Sequence, residues 1–202
     1  MAPHPDDAEL GCGGTIARLT AEGTRVCCAT FSLCEDSLPP GWEKDVRERE
    51  ARKAIDEIGI AQRDLLVYRY PVRRLASYRQ EILDDLVRLN DELSPDLVLM
   101  HSPDDLHQDH STVAHEGLRA FKGTTIYAYE MPWNNIAFRT TAFVALGDDD
   151  VERKVCALSH YESQRDRPYM HEEFVRGLAR TRGATIGVRY AEAYDVIRTV
   201  YR

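Results

Sequence analysis

The sequence predicts a three-layer α/β/α fold built around a mostly parallel central sheet. Strand-like and helix-like segments alternate along the chain, the order that builds a parallel sheet covered on both faces. The strand-like segments are short, continuous apolar runs, which suits strands buried on both sides. With 202 residues, 43% of them hydrophobic, the chain can form one domain, 1–202, with an ordinary core.

Residues 13–22 read as a helix closed by Gly23, a residue suited to a left-handed cap. Residues 24–33 alternate as a strand. Val46, Ala51, Ala54, Ile55 and Ile58 fall near helical spacing, and Gly59 follows them. Residues 64–68 form the next strand. Ile82, Leu83, Leu86, Val87 and Leu93 then make the apolar stripe of a third helix. The strand at 96–100 leads into a fourth helix marked by Val113, Leu118 and Phe121. Strands at 125–129 and 142–146 follow. The last quarter, punctuated by Pro168 and Gly183, reads as helical and appended to the same domain. The chain shows no internal repeat or low-complexity run.

The net charge of −8 comes with Lys and Arg scattered among acids, so no basic face marks a nucleic-acid footprint. No apolar run approaches the ~18 residues of a membrane span, and the first residues lack a signal-peptide pattern. The five cysteines, at 12, 27, 28, 34 and 156, form no C-x-x-C pair. Reduced, mostly buried thiols in a cytoplasmic protein are the expectation. Oligomeric state is left open, a homo-oligomer included.

Two clusters carry chemistry. His4-Pro5-Asp6-Asp7 stands near the start, and His107-Gln108-Asp109-His110 about a hundred residues later. Catalytic zinc is typically held by three His, Asp or Glu ligands with a fourth position for water. His4, Asp7 and His110 fill that quota and leave Asp6, His107 and Asp109 for chemistry. The same donor set is compatible with iron or cobalt. Each cluster follows a predicted strand, and in doubly wound sheets ligands sit outside the carboxyl ends of strands where the order reverses. If those strands are neighbours, the clusters form one site.

Pro5 stiffens the first loop by fixing its own φ. In extended backbone the side chains of Asp6 and Asp7 diverge, so Asp7 can face a metal while Asp6 faces its water. Zinc lowers the pKa of bound water from about 15.7 toward ~7, and Asp6 is then placed to take the proton. His107 is the natural donor to the oxyanion that forms on an attacked amide, a role worth roughly 10²–10³ in turnover. Asp109 is expected to hydrogen-bond His107 and keep it cationic. Either His107 or protonated Asp6 can protonate the departing amine.

Other residues have plainer readings. His101, His115, His160 and His171 are expected to hold no metal, although His101 ends the strand leading to the site. Asp104 and Asp105 read as ordinary loop acids. Arg47 and Glu50, one helical turn apart, read as an i,i+3 ion pair on a solvated face. Trp133 and Asn134 follow a strand's carboxyl end, where they suit either sugar binding or a turn with a packed Trp. Gly11, Gly13 and Gly14 lack the last glycine of a dinucleotide loop and are read as permitting close packing.

The blocks Ala2-Pro3-His4-Pro5-Asp6-Asp7-Ala8-Glu9-Leu10-Gly11, Val46-Arg47 to Glu50-Ala51, Pro95-Asp96-Leu97-Val98 and His101 to His110 resemble, in that order, the LmbE/PIG-L family of zinc-dependent N-deacetylases. Tyr129 to Asn135 and Tyr190-Ala191-Glu192-Ala193 resemble a sugar-modifying subgroup. The resemblance implies a Rossmann-like fold, His4, Asp7 and His110 as ligands, Asp6 as base and His107 as the oxyanion-stabilising histidine. It also brings Arg47 toward the site as a substrate contact beside Trp133 and Asn134.

Two departures stand out. Leu33-Cys34-Glu35-Asp36-Ser37 replaces the family's Gly-Glu-x-Gly loop. Only Met1-Ala2-Pro3 precede His4, where the family has a full strand and a strand typically needs about 5–6 residues. A stub would leave neighbouring backbone groups unpaired. The expectation is therefore that apolar residues precede Met1 in the native chain, or that another segment fills the gap.

The function implied is removal of an N-acetyl group from a GlcNAc-type sugar, sugar nucleotide or sugar conjugate, one zinc per chain. The alternatives are an amidase acting on a non-sugar or thiol-conjugate amide, and a non-catalytic protein that binds a sugar nucleotide with the metal as a staple.

Overall fold

Strand β3 (Leu97–His101) shows how the layers form. Val98 and Met100 pack against α3 (Arg79–Leu93) and α4 (Gln108–Ala120) on one face. Leu99 points the other way, into the layer made by α1 (Asp7–Ala21), α2 (Val46–Glu57) and α5 (Asp148–Ser159). This period-two alternation between apolar layers gives the three-layer α/β/α arrangement. The computed structural model describes residues 1–201.

The remaining elements are β1 (Cys28–Thr30), β2 (Leu65–Val67), β4 (Thr125–Tyr129), β5 (Ala142–Leu146), α6 (Glu172–Thr185) and β6 (Tyr190–Arg198). Strands β1 and β2 pair in parallel, as do β3 and β4. Strand β6 then runs antiparallel to both β4 and β5, giving the order β3-β4-β6-β5. The sheet is therefore mixed rather than mostly parallel, and the last quarter is not wholly helical. Strand β6 was illegible because its inner run, Tyr190 to Asp195, is buried throughout yet contains two alanines and two acids, residues that strands usually disfavour.

Met1-Ala2-Pro3 lies between β1 and β3. Ala2 exchanges backbone hydrogen bonds with Ala29 and Phe31 at 2.8 and 3.0 Å, and the Met1 ammonium donates to the Leu99 carbonyl at 2.7 Å. Alongside this short bridge is an apolar groove of about 320 Å³ lined by Leu66, Leu89 and Val98. Of the two alternatives expected, the filling of the gap by another segment is not seen among the described residues.

Helix α1 is two helices merged at Cys12, whose φ of −147° and ψ of 21° break the turn. The groups freed by the break find buried partners. Lys154 donates to the Leu10 carbonyl at 2.7 Å and to Glu192 at 2.6 Å. Glu192 in turn accepts from the Gly14 and Thr15 amides at 3.0 and 2.7 Å, a carboxylate at a helix N-terminus. Close packing fixes the same stretch. A Cβ on Gly11 would lie 2.2 Å from the Tyr129 ring. Lys154→Ala strips Glu192 of its cation and is expected to cost about 3–5 kcal/mol, read as a lower chemical-denaturation midpoint.

Candidate metal centre and active site

The loop after Pro3 and the loop after β3 meet at one end of the sheet. Asp6 ends the first loop in the left-handed region, φ 84°, where an L-residue other than glycine is uncommon. That conformation sends Asp6 and Asp7 in different directions and starts α1 at Asp7. In the second loop His107 caps α4, its Nδ1 accepting the Asp109 amide at 3.1 Å.

His4 Nδ1, His110 Nε2 and Asp7 Oδ2 converge. The two ring nitrogens are 3.1 Å apart, His4 Nδ1 is 3.4 Å from Asp7 Oδ2, and His110 Nε2 is 3.5 Å from the same oxygen. Three ligands ~2.0–2.2 Å from a tetrahedral ion would stand about 3.3 Å apart. The donor set fits a divalent metal in both spacing and chemistry. Two other trios also come within 4.8 Å, His4 with His107 and His110, and Asp7 with His101 and His110. In the first, His107 Nδ1 is already occupied by the Asp109 amide. In the second, His101 is 1% exposed and wedged between carboxylates, Nε2 3.2 Å from Asp7 and Nδ1 3.3 Å from Asp105.

Each converging histidine has a carboxylate behind it. His4 Nε2 lies 3.0 Å from Asp109 Oδ2, and His110 Nδ1 lies 3.0 Å from Asp105 Oδ2. Such partners fix ring orientation and tautomer and raise ligand basicity. This corrects two expectations. The Asp109 carboxylate supports His4 and accepts from the Arg73 and Leu75 amides at 2.6 and 3.2 Å, so that only the backbone amide of Asp109 reaches the His107 ring. Asp105 is a buried anchor, not a loop acid: its Oδ1 also accepts the His107 amide at 2.8 Å. Its spacing, five residues before His110 and just past a strand end, was the available signal.

The electrostatics divide the two aspartates. Burial drives the Asp6 carboxyl well above its usual range, the Asp7 charge adds to this, and Arg47 only partly opposes it. Burial acts on Asp7 as well, but the facing His110 and His101 outweigh it and hold Asp7 well below that range. Burial, then the His110 and His4 charges, push His107 down to about 4. With Nδ1 accepting a hydrogen bond, its proton at neutral pH sits on Nε2. Asp109 does not keep His107 cationic.

A cavity of about 350 Å³ opens over these residues. Arg47 lines it from α2 and is 5% exposed. The anticipated Arg47–Glu50 pair is absent, because Glu50 accepts the Ser163 amide and hydroxyl at 2.8 and 2.6 Å. Trp133 and Asn134 also line the cavity. Trp133 does so while stacking on Tyr169 with ring centroids 4.1 Å apart. Asn134 Nδ2 lies 3.4 Å from His110 Nδ1. The segment holding Gln164, Arg167 and Tyr169 supplies wall residues that sequence reading missed, and nothing local in the sequence announces them. Cys34 lines the cavity too, and all five cysteines are free thiols.

Comparison with known proteins agrees with this architecture. Residues 1–121 match the family described as PIG-L: GlcNAc-PI de-N-acetylase. The chain is 27% identical to a diacetylchitobiose deacetylase from Thermococcus kodakarensis, over all of this chain and 83% of that protein. It is 25% identical to the uncharacterized deacetylase YaiS of Escherichia coli, over 81% of this chain and 89% of that one. The crystal structure of the conserved protein TT1542 from Thermus thermophilus superposes with a TM-score of 0.84 at 26% identity, covering 100% of this chain and 94% of that one. With its first 121 residues matched by the family and its fold shared across its full length, the chain belongs to the LmbE/PIG-L family.

Proposed function

We propose that this protein is a metal-dependent N-deacetylase that removes the acetyl group from a GlcNAc-type sugar or sugar conjugate. The observation that carries the reading is the convergence of His4, Asp7 and His110 beside a buried Asp6 that binds none of them. A staple needs ligands only, and the spare carboxylate with a raised pKa is what a hydrolase needs in addition. The curated relatives are named as deacetylases, which supports the amide as the target.

His4 through Nδ1, His110 through Nε2 and Asp7 are the proposed ligands, of zinc first, with iron or cobalt compatible. A divalent ion there supplies the Lewis acidity that activates water and polarises the amide carbonyl. Asp6 takes the proton from the attacking water. The neutral His107 donates from Nε2 to the oxygen that gains charge as the carbonyl becomes tetrahedral. Asp6, whose burial favours the protonated form, then returns the proton to the amine nitrogen as the C–N bond breaks. Asp109 acts as a positioning residue through His4, and Asp105 through His110. Arg47, Trp133 and Asn134 form the substrate wall, Trp133 offering a ring face to a sugar.

Acetate release from a panel of N-acetylglucosamine derivatives and non-sugar N-acetyl amides tests the reading. Release from sugar amides is expected, and release only from non-sugar amides would move the assignment to the amidase alternative. His107→Ala should keep its metal and lose roughly 10²–10³ in kcat. Because burial and the neighbouring histidine charges push His107 down to about 4, the ring is mostly neutral above about pH 5, and over that range the variant's pH profile should keep the wild-type shape. A lost basic limb would show that the imidazolium acts after all.

A further inference from the structure

Two buried carboxylates on different helices are spent on one surface segment, residues 160–171. Glu9 of α1 accepts the Tyr161 hydroxyl at 2.8 Å. Glu50 of α2 accepts the Ser163 amide and hydroxyl at 2.8 and 2.6 Å. A buried carboxylate is costly unless its oxygens are satisfied, and among the described residues Ser163 is the only hydrogen-bond partner of the Glu50 side chain. Because Glu50 accepts from both the backbone and the side chain of Ser163, it fixes the residue in place and in orientation.

The residue after Ser163 is the one these anchors serve. Gln164 ends the single 3₁₀ turn Glu162–Gln164. Its amide donates to the Tyr161 carbonyl at 2.9 Å, and its carbonyl accepts the Arg167 amide at 2.9 Å. Farther along, Tyr169 stacks on Trp133 and ties the segment to the cavity wall. Gln164 itself lines that cavity, half-buried. Among the described residues its side-chain amide has no protein partner. A primary amide carries two donors and an acceptor, a set that matches a sugar hydroxyl, itself both donor and acceptor. The proton transfers assigned to Asp6 and the hydrogen bond assigned to His107 leave Gln164 unused.

We propose that Gln164 determines specificity by hydrogen-bonding a hydroxyl of the sugar, and that Glu50 is a positioning residue that sets Gln164 through Ser163. The proposal rests on the deacetylase reading for the choice of a sugar. It gives Glu50 a role that the helical pairing with Arg47 concealed.

The test uses the metal-loaded protein with the methyl glycoside of N-acetylglucosamine and its 3-deoxy, 4-deoxy and 6-deoxy analogues. Gln164→Ala should raise KM for the parent glycoside about three- to tenfold, the net worth of one hydrogen bond, with kcat little changed. One deoxy analogue should suffer the same loss in the wild type and no further loss in Gln164→Ala. Glu50→Ala should raise KM to a similar extent, add little to Gln164→Ala in the double variant, and keep its metal. Glu50→Gln should restore most of the loss, because its amide can accept the Ser163 N–H and donate to the hydroxyl. Ser163→Ala, which removes only the hydroxyl bond, should shift KM the same way but less, and it stands in if Glu50→Ala fails to fold. Glu162→Gln, exposed on the same turn and outside the cavity, should leave KM and kcat as they were. Wild-type KM in Gln164→Ala, or no hydroxyl whose removal costs less in that variant than in the wild type, would overturn the specificity role. Additive losses from Glu50→Ala and Gln164→Ala, or a fall in kcat and metal content that Glu50→Gln does not rescue, would overturn the positioning role. Calorimetry with methyl glucosaminide reads the contact without catalysis. Weaker binding in Gln164→Ala, with no acetate released by any variant, would sink the deacetylase reading and keep the contact. Binding that is undetectable in the wild type, or unchanged in Gln164→Ala, would sink the contact and leave the deacetylase reading to the acetate assay.

Discussion

Asp6→Asn is expected to keep its full complement of metal and to lose about 10²–10⁴ in kcat, the usual worth of a positioned acid–base group, with the larger loss if one carboxyl serves both proton transfers. The reasoning is geometric before it is electrostatic. The left-handed backbone at Asp6 turns its carboxyl away from the three converging donors while keeping it 6% exposed in the same cavity. Burial and the Asp7 charge raise its pKa, which brings the base nearer the operating pH and lets the acid form survive long enough to return a proton. Asparagine preserves the size of the side chain but cannot exchange the proton. Metal analysis alongside steady-state kinetics checks both halves. An Asp6→Asn protein with near wild-type turnover would eliminate this base.

His110→Ala is expected to lose most of its metal and with it all measurable turnover. It removes one of three donors and leaves Asp105 facing an empty space with the stacked His101 ring, 3.7 Å from His110 centroid to centroid, as its remaining imidazole partner. The supporting carboxylates should matter less. Asp105→Asn and Asp109→Asn are expected to weaken metal binding by about 10–100-fold each, since such partners orient and polarise ligands without binding the ion. Elemental analysis after dialysis separates these grades. Full occupancy in His110→Ala would show that the ion sits elsewhere, with the trio of Asp7, His101 and a third donor the place to look.

What the sequence made legible follows from range. His4, Asp6 and Asp7 are fixed relative to each other by one short loop, and His107, Asp109 and His110 by one helix start. Their types and spacing could therefore be read as chemistry. Their meeting depended only on two segments lying side by side, a condition that alternating strands and helices allowed. The partners within the site were harder. Whether Asp109 turns to His4 or to the His107 ring is decided by where the loop carrying Arg73 places its amide, a contact across 36 residues. Glu50's choice of Ser163 over Arg47 spans 113 residues and overrode a helical pairing rule. Strand β6 hid for another reason. Its Glu192 is buried to cap the second half of α1, so a charge occupies a place where the pattern of a strand calls for an apolar residue.

The central claim is that one divalent ion held by His4, Asp7 and His110 makes this chain an N-deacetylase. It is tested most directly by titrating zinc into the stripped protein while following acetate release from an N-acetylglucosamine derivative. The account predicts no release without metal and a linear rise that breaks at about one ion per chain, the stoichiometry of a single three-ligand site. Release that persists in the stripped protein, or that never appears however much metal is added and whichever derivative is supplied, would contradict it.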